Sequence, residues 1–203
     1  LAQEGSRAAG CQVPDLLAGR RAAGAMAAFR VVSGGQTGVD QAALTAAVAE
    51  GLPTGGWCPA GCIDENGPIP CAEVWGLQEV SEVEWEHHHA KFASLGLKFE
   101  NSDPFARRTL LNVLMSSGTL VLLPEHPVAD GTNLTIQAAK ALGRPLFVAV
   151  LQEGAEQGAA FDRWWRTAKV EVLNVGGPRE SQSPGIGVRS AAILGEWFAL
   201  ANG

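Results

Sequence analysis

Short apolar runs alternate with longer amphipathic segments from residue 29 to the end of the chain. The run at 119–123 is apolar on both faces, which is typical of a strand buried in a parallel sheet. On this basis we predict strands at 30–33, 119–123, 146–151 and 171–175, and a short extended piece at 54–57.

Helices are predicted between these strands, where apolar residues recur with a helical period. Glycine followed by proline ends two of them, at 51–53 and at 143–145. The predicted helices span 39–51, 81–95, 104–116, 133–142, 159–168 and 188–201, with Gly-rich loops at 58–71 and 176–187. Strands that alternate with helices of about ten to fifteen residues indicate βαβ units, so the predicted fold class is α/β with a mainly parallel sheet.

The first 28 residues lack this alternation and are rich in alanine, glycine and arginine. We predict a flexible N-terminal extension at 1–28 and one ligand-binding domain at 29–203. Met26 lies just before the first predicted strand. Residues 1–25 are therefore interpreted either as a remnant upstream of the natural start or as a genuine flexible tail.

Charge and composition argue against several classes of function. The formal net charge is −6 and no lysine- or arginine-rich run is present, which disfavours extended binding to nucleic acid or to an anionic membrane. No apolar run reaches the roughly 20 residues of a membrane span. The 4 cysteines are too few for a disulfide scaffold in a chain of 203 residues, so a reducing, cytoplasmic setting is predicted.

The candidate chemistry begins in the turn after the first predicted strand, Ser33-Gly-Gly-Gln-Thr-Gly-Val-Asp40. This turn leads directly into a helix, whose N-terminal N–H groups favour an anion. Its glycine spacing matches neither the dinucleotide fingerprint nor the P-loop. Two interpretations stay open: an oxyanion-binding turn, in which Ser33, Thr37 and the glycine amides line a nest, or a structural connection. Asp40 is either a helix-terminus carboxylate or a partner for a ligand hydroxyl or water.

Two later loops are expected at the same edge of the sheet, because parallel sheets bind ligands at the carboxyl ends of their strands. The segment Asp130-Gly-Thr132 opens a helix and is either its N-cap or a second phosphate-facing N-terminus. In Gly177-Pro-Arg-Glu-Ser181, Arg179 either binds a phosphate or carboxylate in a bidentate manner, or pairs with the neighbouring Glu180 or in another surface salt bridge.

Other polar and aromatic residues leave similar alternatives. Arg108 and Asn112 lie one turn apart on a predicted helix, on a face that is either solvated or in contact with a ligand. Trp57 either stacks on a base or fills the core. The cysteines at 58, 62 and 71 and the histidines at 87–89 do not predict a metal site, because the cysteine spacing is irregular and consecutive helical residues point in different directions.

The motifs resemble those of the putative molybdenum carrier family, part of a wider group of Rossmann-like nucleotide-binding domains that includes the LOG-type phosphoribohydrolases. The most specific matches are Ser33-Gly-Gly-Gln-Thr-Gly-Val-Asp40 and Leu173-Asn-Val-Gly-Gly-Pro-Arg-Glu-Ser181, and the resemblance covers about residues 29–200. It implies a single Rossmann-like, three-layer α/β/α domain that forms a homo-oligomer and binds a nucleotide or an oxyanion.

The chain departs from the family pattern close to the proposed anion site. The family typically has cationic residues where this chain has Gln41, Ala60 and Cys62, which implies weaker or altered ligand binding. Residues 82–103, with the three histidines, form a longer connection than is usual in the family, and no function is assigned to them.

The sequence therefore predicts a carrier or binding protein for a small phosphate-bearing ligand, either a nucleotide or the molybdenum cofactor. The alternative is a nucleotide or sugar-phosphate hydrolase with Asp40 or Asp130 as the acid/base. The LOG-type motif has its acid where this chain has Thr135, which argues against that route, although Asp130 or Glu180 would still supply a carboxylate. The expected ligand-binding residues are Ser33, Gly34, Gly35, Gln36, Thr37, Gly38, Asp40, Trp57, Arg108, Asn112, Asp130, Gly131, Thr132, Gly177, Arg179, Glu180 and Ser181.

Overall fold

The computed structural model describes residues 29–124, 130–151 and 155–203, without the side chains of residues 130, 155 and 156. The predicted extension at 1–28 lies outside the described residues, so its separation from the domain at 29–203 stays a prediction.

Strands and helices alternate through the described residues. The strands are β1 (Arg30–Val32), β2 (Thr54–Cys58), β3 (Ile63–Asp64), β4 (Gly67–Pro68), β5 (Leu77–Glu79), β6 (Gly118–Leu123), β7 (Leu146–Val150) and β8 (Val172–Gly176). The helices are α1 (Val39–Ala49), α2 (Ala72–Trp75), α3 (Glu82–Ser94), α4 (Pro104–Leu114), α5 (Asp130–Ala141), α6 (Ala155–Ala168) and α7 (Ile186–Asn202).

Six strands form one parallel sheet in the order β5-β2-β1-β8-β6-β7. The last strand of the chain, β8, lies at its centre, with Leu173 paired to Val31 of β1 and Asn174 paired to Thr119 of β6. The loops that follow β1 and β8 therefore leave the same edge of the sheet side by side. Ligands of open parallel sheets bind at such a point.

Helices cover both faces of this sheet. One face packs against α1, α6 and α7 around Leu122, Phe161 and Phe198, and the other packs against α3, α4 and α5 around Trp85 and Leu110. All five side chains are fully buried. The parallel sheet between two helical layers confirms the predicted α/β fold class.

The predicted loop at 58–71 is wrong in part, because it contains the antiparallel hairpin of β3 and β4. Each strand of this hairpin is only two residues long, too short to leave an alternating pattern in the sequence. The structure also joins Cys58 to Cys62 in a disulfide, which the cysteine count did not predict.

Four other short or terminal features differ from the prediction. Helix α2 and strand β5, which have four and three residues, were not predicted. Helices α5 and α6 begin a few residues earlier than predicted, where polar and glycine residues weaken the helical pattern.

In the described ranges, no helix combines the length and the apolar character that crossing a membrane requires.

Candidate functional site

A cavity of about 330 Å³ lies where the loops after β1 and β8 meet the N-terminal turn of α5 and the side of α4. The structure brings together at its wall many of the residues predicted from sequence. These are Gln36, Asp40, Arg108, Asn112, Gly131, Thr132, Gly177 and Arg179.

A buried ion pair crosses one side of this cavity. Asp40, in the first turn of α1, is only 2% exposed, and its Oδ2 accepts hydrogen bonds from Arg108 Nη1 at 2.9 Å and from the Gln36 N–H at 3.4 Å. Burial raises the pKa of Asp40 above its ordinary value, although the Arg108 charge and the hydrogen bonds act in the opposite direction. Asp40 is thus a buried acid at the cavity wall and not simply an exposed helix-terminus carboxylate.

Gly34 makes room for this ion pair. A Cβ atom at that position would lie 1.9 Å from Arg108 Nη1, so only glycine lets the guanidinium rest against the turn. The sequence analysis assigned Gly34 to ligand binding, whereas the structure places it beneath the arginine.

Gln36 is held so that its amide nitrogen is left without an acceptor. Its Oε1 accepts hydrogen bonds from the backbone N–H groups of Thr37, at 3.0 Å, and Glu65, at 2.9 Å. Its Nε2 is buried and has no partner among the described residues, and the same is true of Arg108 Nε. Two residues of the cavity wall therefore carry donors that the described protein does not satisfy.

The N-terminal turn of α5 forms another part of the wall. Gly131 and Thr132 line the cavity, and Thr132 is 4% exposed. The side chain of Asp130 lies outside the described residues, so its assignment as an N-cap or ligand contact stays a prediction. The positive end of the α5 dipole is thus available to the cavity.

Thr135, on the next turn of α5, also lines the cavity, and its Oγ1 donates to the Gly131 carbonyl at 3.3 Å. A Cβ atom on Gly176 would lie 3.9 Å from both Thr135 Oγ1 and Asp40 Oδ1. The Asp40 carboxyl and the Thr135 hydroxyl therefore both lie beside Gly176 at the cavity wall.

The polar side chains of the loop after β8 contact the hairpin and the start of α7. Arg179 Nε lies 3.9 Å from Glu65 Oε2, so Arg179 forms the surface ion pair that was one of its predicted roles, but with Glu65 and not with Glu180. Binding of a phosphate or carboxylate by Arg179 stays a prediction. Glu180 instead accepts hydrogen bonds from the N–H groups of Gly187, at 3.0 Å, and Gly185, and so caps α7. Ser181 donates to Glu65 through both its N–H and its hydroxyl.

Several polar groups of the turn after β1 have partners within the protein. The Ser33 hydroxyl donates to the Val175 carbonyl at 2.7 Å, and the Val39 N–H donates to the Pro178 carbonyl at 3.3 Å. Gly35 packs under apolar side chains, and Gly38 packs against the backbone of 178–180. Gly35 and Gly38 therefore let the turn pack against its neighbours, and binding of an anion by their amides stays a prediction.

Asn112 and Trp57 also have structural contacts. Asn112 Oδ1 accepts the Trp57 N–H at 2.8 Å, and Asn112 Nδ2 donates to the Trp57 carbonyl at 2.9 Å, so α4 is clamped to β2. The Trp57 ring packs against the core cluster of α3, α4 and α5. Trp57 is partly buried in this contact, and its stacking on a base stays a prediction.

The sequence analysis missed the contribution of the α3–α4 connection. Lys98, Phe99, Glu100 and Asp103 all line the cavity, and all belong to the long connection for which no function was expected. Asn174 of β8 was not predicted either, although it is a polar residue within an otherwise apolar strand. In the structure it is 4% exposed, and a polar group buried in this way needs a partner.

The cavity wall has charges of both signs. The cations Lys98, Arg108 and Arg179 line it together with acidic residues such as Glu100 and Asp103. The described residues contain no group of three histidine, cysteine or acidic side chains arranged to hold a metal ion.

The sequence of residues 31–198 matches the circularly permutated YpsA SLOG family. The chain belongs to this family. The chain is also similar to a protein of Syntrophus aciditrophicus SB, named a putative molybdenum carrier protein, whose crystal structure is known at 1.45 Å resolution. This similarity agrees with the resemblance noted in the sequence. The two share 31% identity over 85% of this chain and 96% of that one, with a TM-score of 0.69. No curated protein matches the chain.

Proposed function

We propose that this SLOG-family protein binds a small anionic ligand, of the size of a mononucleotide or the pterin phosphate of the molybdenum cofactor, and serves as its carrier. The observation that carries the proposal is that Gln36 and Arg108, which both line the cavity, each have a buried donor, Nε2 and Nε, without an acceptor among the described residues. Buried polar groups in proteins are almost always paired, so these donors are expected to find their acceptors on a ligand.

The cavity also favours a ligand with negative charge. The N-terminal turn of α5 presents its positive end at Gly131 and Thr132, and Lys98 and Arg179 add cationic side chains. An arginine that already holds Asp40 retains further N–H groups for a phosphate or carboxylate.

Size and mixed charge favour an organic ligand over a bare tetrahedral oxyanion. The volume of about 330 Å³ is at the lower end of the range of roughly 300–1,000 Å³ for small-molecule sites. Glu100 and Asp103 offer acceptors for ring N–H groups, and Phe99 and Phe105 offer aromatic surface. A nucleotide and the pterin phosphate of the molybdenum cofactor both combine such a ring with an anionic group.

The comparison supports the carrier role, since the similar protein from Syntrophus aciditrophicus SB is named a putative molybdenum carrier protein. The cytoplasmic setting and the homo-oligomer belong to this proposal as predictions.

A thermal-shift screen of the full chain tests the proposal. The panel holds nucleoside mono-, di- and triphosphates, cyclic nucleotides, NAD, molybdate and tungstate. A ligand at 100 times its dissociation constant adds about 2.7 kcal/mol, which raises the melting temperature by roughly 5 °C or more in a domain of this size.

Two variants assign any shift to the cavity. Arg108→Ala is expected to weaken binding about tenfold or more, as the loss of a charged hydrogen bond does. Gln36→Glu keeps the oxygen that accepts from Thr37 and Glu65 but replaces the free donor by an anion, so it is expected to abolish binding. Arg163→Ala, at an exposed position of α6, is the control. A ligand that binds all variants equally would contradict the assignment.

A hydrolase is the second candidate, and a separate observation favours it. Asp40 combines a raised pKa with a position at the cavity wall close to Thr135, and acids with raised pKa values in clefts are common among catalytic groups. Chromatography of a nucleoside monophosphate panel is the test. Turnover that is lost in Asp40→Asn supports the hydrolase, and a panel without product leaves binding as the function.

A further inference from the structure

The hairpin of β3 and β4 places a carboxylate among donors of the two Gly-rich loops. Glu65, in the turn of the hairpin, accepts hydrogen bonds from the hydroxyls of Thr37 and Ser181 and from the Ser181 N–H at 3.2 Å. Arg179 Nε lies 3.9 Å from the same carboxylate, whose side chain is 13% exposed. Hydroxyls, a backbone N–H and a guanidinium thus converge on one anionic group of the chain itself.

These donors would suit an oxyanion of a ligand equally well. Thr37, Arg179 and Ser181 belong to the segments that the sequence marked for anion binding, and Arg179 also lines the cavity. The Glu65 N–H donates to Gln36 Oε1, so the hairpin is linked directly to the side chain with the free donor. The carboxylate site and the cavity are therefore neighbours that share Arg179 and are joined through Gln36.

We propose that Thr37, Arg179 and Ser181 form an oxyanion subsite beside the cavity, that the Glu65 carboxylate fills it in the closed form of the protein, and that a phosphate-like group enters by displacing Glu65. This inference rests on the proposed function of the cavity. It adds that the ligand either carries a second anionic group, which binds in the subsite, or places its single anionic group there. No bond forms or breaks in the exchange, since one anion replaces another on the same donors.

The hairpin has a second attachment that keeps it in place when Glu65 leaves. Gln41 Nε2 donates to Asp64 Oδ2 at 2.7 Å and to the Gly35 carbonyl at 3.1 Å. Gln41 occupies a position where the family typically has a cationic residue, and here it ties the hairpin to α1. Loss of the Glu65 contacts is therefore expected to free the subsite without releasing the whole hairpin.

Titration of the full chain with inorganic phosphate, followed by calorimetry, tests the subsite without a nucleotide. Glu65→Ala is expected to bind phosphate at least tenfold more tightly than the original protein, because the competing carboxylate is gone. The gain should disappear when Ser181→Ala and Arg179→Ala are added. Glu73→Ala, which removes an exposed carboxylate from α2, should show no gain.

Phosphate affinity unchanged by Glu65→Ala, including no binding by either protein, would overturn the proposal. A gain that survives Ser181→Ala with Arg179→Ala would overturn it too, because the phosphate would then bind elsewhere. If Glu65→Ala does not fold, Glu65→Gln replaces it, keeps the side-chain size, and should show a smaller gain, whose absence likewise counts against the subsite.

The two proposals fail separately in these experiments. If nucleotide binding depends on Arg108 but phosphate affinity is the same in Glu65→Ala and the original protein, the subsite proposal is wrong and the proposed function of the cavity stands. If Glu65→Ala binds phosphate more tightly but the protein binds neither a nucleotide nor the cofactor, the subsite proposal stands and the proposed ligand class of the cavity is wrong.

Discussion

At the scale of single residues, two carboxyl groups at this site have opposite electrostatic environments. Asp40 is buried, and burial outweighs the nearby Arg108 charge and raises its pKa. Burial also acts to raise the pKa of Glu65, but hydrogen bonds from Ser181 and Thr37 and the charge of Arg179 outweigh it, and the pKa lies below its ordinary value. The pH dependence of folding should therefore have opposite signs for the two groups.

Asp40→Asn is expected to remove a contribution that weakens folding as pH rises. A carboxyl with a folded pKa above its unfolded value of about 3.8 holds its proton more tightly in the folded state, so stability declines from pH 3.8 upward to the raised pKa. Loss of the Asp40 partner of Arg108 also changes the free energy of unfolding, but this change is the same at every pH in the range because arginine stays charged. Urea unfolding from pH 3 to 7 should show the original protein losing stability relative to Asp40→Asn as pH rises; a constant difference would contradict the raised pKa.

Glu65→Gln is expected to show the opposite trend. A carboxyl with a depressed folded pKa stabilises the protein above its unfolded value of about 4.5, and this contribution is lost as pH falls through the folded pKa. The original protein should therefore exceed Glu65→Gln in stability at pH 7, and the difference should shrink in the same urea series as pH falls from 4.5 through the lowered folded pKa of Glu65. An unchanged gap at low pH would show that hydrogen-bond geometry, not charge, holds the hairpin.

At the scale of elements, α4 positions the arginine of the site through its N-terminus. Asp103 Oδ1 accepts the Phe105 N–H at 2.8 Å and caps the helix, and Pro104 follows at the first helical position, which suits its fixed φ angle. Arg108 lies one turn later. The same Asp103 lines the cavity, so capping and ligand contact coincide in one side chain.

Substitutions of Asp103 are expected to separate these two roles. Asp103→Ala should lower the free energy of unfolding by about 1 kcal/mol through loss of the cap, whereas Asp103→Ser should retain most of it. Both remove the carboxylate from the cavity. Chemical denaturation measures the cap, and ligand affinity of the Ser variant measures the carboxylate; equal stability of Ala and Ser variants would argue against capping by this side chain.

At the scale of the whole molecule, the site depends on the close approach of β6, α1 and the loop after β8. Gly177 lies at this junction, and a Cβ atom there would be 2.5 Å from the Leu122 carbonyl oxygen and 2.6 Å from Val39 Cγ2. Both atoms belong to buried residues, so neither has space to move. The requirement is for space and does not involve an unusual φ angle.

Gly177→Ala is expected to destabilise the protein by about 1–3 kcal/mol or more, as overpacking of a core does. Gly195→Ala is the matched control, since its Cβ would have no atom within 4 Å and its position in α7 favours alanine by roughly 0.5–1 kcal/mol. Melting temperatures of the two variants should therefore move in opposite directions, and a tolerated Gly177→Ala would mean that α1 is free to shift from the sheet.

Much of the fold was predictable because its signals are local. Alternating apolar strands and amphipathic helices indicated a parallel α/β domain, and Gly-rich turns after strands indicated which edge carries the site. Gln36, Asp40 and Thr132 were placed correctly at that edge, since each lies directly at a strand or helix end. The hairpin of β3 and β4 was missed because strands of two residues have no period.

The contacts that define the site depended on tertiary structure. Arg108 meets Asp40 and Glu65 meets Ser181 across 68 and 116 residues of sequence, distances over which no periodic pattern carries information. The sequence by itself determined the parallel α/β architecture and the edge of the sheet where polar loops gather, because hydrophobic period and turn chemistry act over a few residues. Only the packing of α4 and the hairpin onto that edge decided which donors have an acceptor among the described residues and which have none, because the Arg108–Asp40 and Ser181–Glu65 contacts join distant segments.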